Sequence, residues 1–163
     1  MEHEAPAIFV ALEQSGFGSA IRQSVWAYPA ANVGHIVALF VFAGAIAVMD
    51  LRLAGAFAAM APGPLIARAR GIAMLAFLGL AGTGFMLFSA EASHIIQNPV
   101  FLTKVGLIVL GLANVAAYQF GIRHDVAGLP AGVPLPWRAR FAGIASLTVW
   151  ILVAALGRTI AYF

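Results

Sequence analysis

The chain has 163 residues, of which 63% are hydrophobic and 9% are charged, and its mean hydropathy is +0.97. Soluble domains carry about 25% charged residues, so this composition excludes an ordinary soluble domain and predicts a membrane protein with four spans and short loops. The net charge of +3 is spread over helix ends and does not indicate a nucleic-acid surface. The absence of cysteine excludes disulfides, thiolate metal sites and covalently attached c-type haem.

The first predicted element precedes the spans and covers residues 5–23. Apolar and polar residues alternate there, and the segment carries Gly16 and Gly18. This pattern predicts an interfacial helix that leads into the first span. Arg22, near the end of the segment, is predicted to anchor it at the membrane surface or to face an anionic group of a bound ligand.

Four stretches between charged residues predict the membrane spans, at about residues 26–49, 71–92, 99–122 and 141–160. Each stretch is close to the ~20 residues with which a helix crosses ~30 Å of hydrocarbon. The alternating pattern of an outer-membrane barrel is not visible. The chain is therefore predicted to be all-α, a polytopic four-transmembrane-helix bundle that forms a single membrane domain.

His35 lies inside the first predicted span, in a stretch without formal charge that Arg22 and Asp50 close at either end. An ionisable group at this depth is costly and by default indicates a functional site. Three interpretations stay open: a neutral imidazole bonded to a neighbouring helix, a ligand to haem iron or another metal, and a proton carrier. Apart from Glu91 at the end of the second, no carboxylate falls within a predicted span, which weakens the case for a carboxylate-driven pump.

The second predicted span contains three glycines between residues 79 and 84. Small residues let helices approach closely, and they also let a flat macrocycle lie against the backbone. The third helix is predicted to start at Asn98 and Pro99, a capping residue followed by a proline at the first helical position. Lys104 follows, where the helix dipole disfavours a cation. It either snorkels to the interface or pairs with an anion, such as Glu91 or a ligand carboxylate.

The loop before the fourth predicted span, at residues 128–136, is too rich in proline and glycine to be helical throughout. Arg158 lies near the end of the fourth span, where the dipole favours a cation. Arg158 is therefore interpreted as a helix-end charge. It is also predicted to lie on the same side of the membrane as Lys104, where it could face an anionic group of a ligand.

Lysine and arginine are distributed unevenly between the two ends of the predicted bundle. The end formed by the two longer loops holds Arg52, Arg68, Arg70, Arg123, Arg138 and Arg140. The opposite end holds Arg22, Lys104 and Arg158. The positive-inside rule therefore predicts a bacterial inner-membrane protein with the longer loops in the cytoplasm and both termini in the periplasm.

Helix rise assigns a depth to each candidate residue. His35 lies 15 residues from Asp50, which corresponds to about 22 Å from the cytoplasmic boundary. The same level falls near Phe85 and Met86 in the second span. The cations of the outer half are predicted to lie about one turn above His35, an arrangement that suits a haem whose propionates face outward.

A second axial ligand is harder to assign. His94 is on the correct side, but at about 36 Å from Arg70 it is predicted to lie well above His35. Met86 is level with His35, yet a methionine in an apolar helix is usually a packing residue. Lys104 reaching inward, or a five-coordinate site with His35 alone, are the remaining alternatives.

Two segments carry a family resemblance. The first is residues 22–29 followed by His35 and residues 50–55, and the second is residues 98–104 leading into the third helix with Asn114. Together they resemble an uncharacterised family of small bacterial four-helix inner-membrane proteins, distantly similar to copper-resistance protein D and to the HemJ-type proteins that bind haem b. The resemblance implies that His35 and Lys104 occupy functional positions of HemJ-like proteins.

The leading hypothesis is a haem b-binding membrane protein with His35 as axial ligand to the iron. Lys104, Arg158, Arg22 and His94 complete the candidate cofactor-binding set. Such a protein transfers electrons, or oxidises a hydrophobic substrate, in the outer half of the bilayer, with a redox partner or a second copy as its partner. The alternative is a non-enzymatic membrane subunit or a copper transport accessory, in which His35 bonds two helices or binds a metal transiently.

Overall fold

A computed structural model describes residues 5–162, and every regular element in that range is helical. The elements are α1 (Ala7–Gln14), α2 (Gly16–Gln23), α3 (Ala27–Ala54), α4 (Pro62–Ala90), α5 (Ala92–Ile95), α6 (Pro99–Ala117), a π-helical turn (Tyr118–Ile122), α7 (Arg123–Ala127), α8 (Trp137–Thr159) and a 3₁₀ turn (Ile160–Tyr162). Four helical stretches are long and apolar enough to cross a membrane: α3, α4, the continuous stretch Pro99–Ala127, and α8. The prediction of an all-α, multi-pass membrane protein is confirmed.

The N-terminal segment forms two short helices where the sequence predicts one. The chain breaks at Ser15, whose side chain accepts a hydrogen bond from the Gly18 backbone N–H at 3.1 Å and so caps α2. Gly18 lies against α4, because a Cβ at this position would come within 2.6 Å of the Ser89 carbonyl oxygen. The capping serine thus turns the chain, and the glycine lets α2 pack closely on α4.

A small polar cluster joins these two helices to the end of α4 and to α5. The Arg22 guanidinium donates to Glu13 Oε1 at 3.0 Å and to the Ala90 carbonyl oxygen at 3.2 Å. Glu13 Oε2 accepts from the Ser93 backbone N–H at 2.8 Å and from the Ser93 hydroxyl. These charge-assisted bonds connect segments that lie far apart in the chain.

This cluster makes the docking of α1 dependent on pH. The Ser93 hydroxyl and backbone N–H, together with the Arg22 charge, lower the pKa of Glu13 below its ordinary value. The stabilisation is therefore complete above the unfolded pKa, and it is lost as the pH falls through the lower folded pKa. We expect hydrogen-exchange protection of α1 and α5 to decrease on acidification while protection of α8 does not. In Glu13→Gln the protection should already be low at neutral pH, and a wild-type-like pH dependence in this variant would contradict the assignment.

All four long helical stretches extend past their predicted spans at the basic end, and α3 and α4 show this most clearly. Helix α3 continues to Ala54 and ends at Gly55, whose φ of 116° is in the left-handed region that glycine adopts most easily. Helix α4 already begins at Pro62, where a proline at the start of a helix loses no hydrogen bond. The connecting loop is consequently short, and Asp50, taken from the sequence as a boundary charge, lies inside a helix.

The start of α6 and the loop before α8 agree with the sequence. Asn98 Oδ1 accepts from the backbone N–H groups of Val100 at 2.9 Å and Phe101 at 3.4 Å, which confirms the predicted cap. Residues 128–136 contain turns and irregular chain and no helix, as predicted. We call the end of the bundle formed by loops 55–61 and 128–136 the basic end, and the end that carries α1, α2 and α5 the N-terminal end.

The long helices pack in the order α4, α3, α8, α6, and glycines set the closest approaches. A Cβ on Gly143 of α8 would lie 2.6 Å from the Leu53 Cβ and 2.7 Å from the Asp50 carbonyl oxygen of α3. A Cβ on Gly111 of α6 would lie 2.9 Å from the Trp150 ring of α8. The centre of the bundle is aromatic, with the rings of Phe42 and Trp150 meeting edge to face at 4.7 Å.

Helices α4 and α6 do not pack along their length and leave a gap, which we call the α4–α6 cleft. Its floor is formed by α3 and α8. At the N-terminal end the rings of Phe88 and Phe101 stack across it with centroids 5.4 Å apart. At the basic end the Arg70 guanidinium donates to the Gln119 side-chain oxygen across it. The bundle is therefore open on one side, between these two contacts.

Candidate functional site: two polar positions in the cleft

His35 lies on the inner face of α3, toward the N-terminal end of the cleft. It is seven residues before Phe42 and eleven before Ile46, a spacing that places all three on one helix face. Phe42 and Ile46 are buried in the core, whereas His35 is half-buried. The imidazole is thus inside the bundle but retains access to its surroundings.

The hydrogen bonds around His35 assign its tautomer. Its Nδ1 lies 2.9 Å from Thr83 Oγ1 of α4. The Thr83 hydroxyl donates its hydrogen to the Gly79 carbonyl oxygen at 2.6 Å, so its oxygen is left to accept. In a neutral imidazole Nδ1 then carries the proton, and Nε2 has a lone pair that is free to bind a metal or a proton.

Glycine positions on α4 allow this close contact. A Cβ at Gly84 would lie 3.2 Å from His35 Cε1, and a Cβ at Gly79 would lie 3.4 Å from the Ala38 side chain. The predicted level of His35, near Phe85 and Met86, is within one turn of its observed neighbours. The small residues of the second span serve helix packing here, which was one of their two predicted uses.

Lys104 lies in the same half of the bundle but on a different helix pair. Its Nζ would be 3.4 Å from a Cβ placed on Gly157, so the side chain lies against α8. Among residues 5–162 it makes no ion pair, with Glu91 or with any other carboxylate. The structure therefore does not join Lys104 to His35 by a direct hydrogen bond, and it leaves a half-buried cation near one end of the cleft.

The other three predicted site residues lie at the rim of the N-terminal end. Arg22 is engaged by Glu13 and Ala90, as described above. Arg158 donates to the Tyr162 hydroxyl at 2.6 Å and lies over the Tyr162 ring. His94 is in the single-turn helix α5, beside a small depression next to Asn98. The structure does not gather these residues around His35.

A second polar position, at Asp50, was missed by the sequence interpretation because its charge marked a span boundary. Asp50 is 1% exposed, and neither of its carboxylate oxygens has a hydrogen-bond partner within the described part of the chain. It borders a cavity of about 110 Å³ in the basic half of the cleft, together with Ser146, Trp150 and Phe77. The Ser146 hydroxyl, which lies beside the Asp50 carboxyl group, and the Trp150 indole N–H likewise have no partner at hydrogen-bond distance in residues 5–162.

Comparison with known proteins assigns the chain to a family through almost its whole length. The profile of a family of unknown function matches residues 14–163, which include α2, all four long helices and both polar positions. The chain belongs to DUF6644. Neither a curated protein nor a solved structure matches it significantly. These comparisons give the DUF6644 chain no similarity to copper-resistance protein D or to HemJ-type proteins.

The two polar positions of the DUF6644 chain differ in chemistry. His35 offers one oriented nitrogen lone pair, and Asp50 offers two unpartnered carboxylate oxygens about 22 Å further along α3. No group of three or more histidine, aspartate or glutamate side chains is close enough to hold a metal ion within the described residues. The arrangement suits a cofactor that brings its own metal ligands at His35, and an organic ligand at Asp50.

Proposed function

We propose that the protein binds haem b in the membrane, with His35 Nε2 as an axial ligand. The observation that carries this proposal is the Thr83 hydrogen bond, which holds the imidazole with Nδ1 protonated and Nε2 free. Histidine ligands in metalloproteins are commonly oriented in this way, by a hydrogen bond to the ring nitrogen that does not bind the metal. The side chain is half-buried, so part of the imidazole stays accessible to a ligand.

The bound haem would supply one-electron chemistry, for electron transfer or for the oxidation of an apolar substrate. His35 would hold the iron, Thr83 would fix the ring orientation, and Gly84 lets α4 approach the imidazole closely. Lys104 contributes positive charge in the same half of the bundle, where it would attract the propionates. Arg22 and Arg158 already have protein partners, so the proposal depends on His35 and Lys104.

The proposal includes an orientation in the bacterial inner membrane. The basic end holds six of the nine lysine and arginine residues, so it would lie in the cytoplasm and the chain termini in the periplasm. His35 and Lys104 would then lie in the periplasmic half of the bilayer, where a periplasmic redox partner or a second copy could exchange electrons with the haem. Single cysteines introduced by Ala58→Cys and Ala131→Cys, one in each loop of the basic end, test this orientation by their accessibility to a membrane-impermeant label.

The absorption spectrum of the protein purified from haem-supplemented cells tests the haem proposal directly. A Soret band, with α and β bands that sharpen on reduction, is the expected result. A colourless protein that also fails to take up added hemin would contradict the proposal. Resonance Raman bands of a histidine-ligated haem would identify the axial ligand type.

The hydrogen bond to His35 gives the proposal a graded test. In Thr83→Val the imidazole loses the group that orients it, and we expect haem to bind about 10- to 100-fold more weakly. Thr83→Ser keeps the hydroxyl and should retain wild-type affinity. Hemin titration followed at the Soret band measures both, and equal affinities for the valine and serine variants would show that the bond has no orienting role.

The second candidate is a non-enzymatic membrane subunit, favoured by the same His35–Thr83 bond. Here the bond simply joins α3 to α4, next to the close approach at Gly79 and Ala38. This candidate predicts a colourless protein in which loss of the imidazole costs about 1–2 kcal/mol of helix association. A copper accessory role would instead require a stoichiometric metal, measurable by elemental analysis of the purified protein.

A further inference from the structure

The Asp50 cavity is bordered by side chains that carry four buried polar atoms without hydrogen-bond partners among residues 5–162, and its accessible wall is largely apolar. The atoms are both Asp50 carboxylate oxygens, the Ser146 hydroxyl oxygen and the Trp150 indole nitrogen. A buried carboxylate is costly unless it is paired, and in a membrane such groups mark binding sites or ion paths. The one ion pair among residues 5–162 joins Arg22 to Glu13, so no protein cation neutralises Asp50. The site therefore lacks a positively charged partner.

The lining shows where a partner would enter. Met74 of α4 and Leu112 of α6 both border the cavity, and both are exposed on the outside of the bundle, at 61% and 43%. The mouth therefore lies between α4 and α6, part-way along two membrane-spanning helices, and it is apolar. A ligand entering here comes from the hydrocarbon of the bilayer.

The basic side of the mouth is crossed by the contact between Arg70 and Gln119. Arg70 also borders the cavity, but its guanidinium donates to the Gln119 side chain and forms no ion pair with Asp50. The contact separates the cavity from the basic end of the bundle.

The shape and chemistry of the cavity define a ligand class. A volume of about 110 Å³ is somewhat smaller than the ~150 Å³ cavity that accommodates benzene. Aromatic rings of Phe42, Phe77 and Trp150 border it, and aromatic faces attract cations. A hard metal ion takes six or more oxygen ligands, several of them usually carboxylates, and Asp50 is the one carboxylate that borders the cavity.

We propose that this cavity binds a lipid-soluble amine, whose ammonium group pairs with Asp50 and whose apolar part enters between α4 and α6. The Ser146 oxygen would accept a second ammonium hydrogen. The apolar chain would leave through the mouth beside Met74 and Leu112. The site lies about 22 Å along α3 from His35, so it stands independently of the haem proposal.

The test uses Trp150 as a reporter in the full-length protein in nanodiscs. Trp26 and Trp137 are 80% and 73% exposed, and replacing both by phenylalanine leaves buried Trp150 as the one tryptophan of the chain. The probes are n-hexylamine, n-hexanol and hexanoate. We expect a saturable change in Trp150 emission with the amine, and at least about tenfold weaker binding of the amine to Asp50→Asn. Glu91→Gln removes a carboxylate outside the cavity and should leave the binding unchanged.

Several outcomes would overturn the proposal. They are equal binding of hexanol and hexylamine, tighter binding of hexanoate, no saturable change with the amine, and unaltered amine binding in Asp50→Asn. If Asp50→Asn does not fold, Leu112→Phe at the mouth takes its place. This variant should weaken amine binding without touching the carboxylate, and wild-type affinity in it would contradict entry between α4 and α6.

Discussion

We expect the His35→Ala variant to bind no haem b, the largest effect that a single substitution should have on the proposed function. Alanine has no nitrogen to coordinate iron, and no other histidine is placed to substitute: His94 is at the rim in α5 and His124 is in α7 at the basic end. The Soret absorbance per mole of protein, measured after hemin reconstitution, should fall to the background of empty nanodiscs.

The control for this variant is His124→Ala, which removes a histidine from the opposite end of the bundle and should leave the spectrum unchanged. Haem retained in His35→Ala but lost in His124→Ala would place the ligand at the wrong end and refute the assignment. If the wild-type protein is colourless, the same His35→Ala variant measures the alternative. A stability loss of about 1–2 kcal/mol then supports an interhelical bond.

The second large effect is expected on stability, at the contact between α3 and α8. In Gly143→Ala the new Cβ would approach the Leu53 Cβ and the Asp50 carbonyl oxygen within less than 3 Å, so the two helices must separate. Overpacking of this kind costs about 1–3 kcal/mol. Reversible unfolding in mixed micelles of mild detergent and sodium dodecyl sulfate should show the loss as a lower midpoint.

The chain supplies a matched control in Gly44→Ala, on α3. A Cβ at Gly44 meets no atom within 4 Å, so the substitution changes helix propensity without affecting packing. Alanine is favoured over glycine inside a helix by about 1 kcal/mol, so this variant should be as stable as the wild type or more stable. Equal midpoints for the two variants would show that α3 and α8 do not approach closely at Gly143.

Much of the fold was predictable from the sequence because the bilayer restricts the choices. Charge-free stretches of about 20 residues indicate spanning helices, and the cap at Asn98 is a local pattern that needs no tertiary contact. The break at Ser15 has a weaker local signal, a serine, which is a preferred N-cap residue, followed by Gly16 and Gly18. The order of the helices was not predictable, because it depends on where Gly111 and Gly143 permit close approach.

The candidate site was likewise predictable from the sequence only in part. The rise per residue gave the level of His35 to within one turn, but it could not show that Thr83 faces it, since rotation about the helix axis depends on packing. Asp50 was missed for a physical reason. A carboxylate near the end of an apolar stretch has the same sequence pattern whether it meets solvent or a neighbouring helix, and only the packing of α8 against α3 buries it.

The long helices pack in the order α4, α3, α8, α6, which differs from their order along the chain, and this difference has a consequence for biosynthesis. Helix α3 meets α4 as soon as both are made, so the first hairpin can associate while the ribosome continues. Helix α6 packs chiefly on α8, which is synthesised after it. The third span must therefore remain surrounded by lipid until the last one emerges and inserts between α3 and α6. Assembly of the bundle, and with it the formation of the α4–α6 cleft, is therefore completed only after the final helix has inserted.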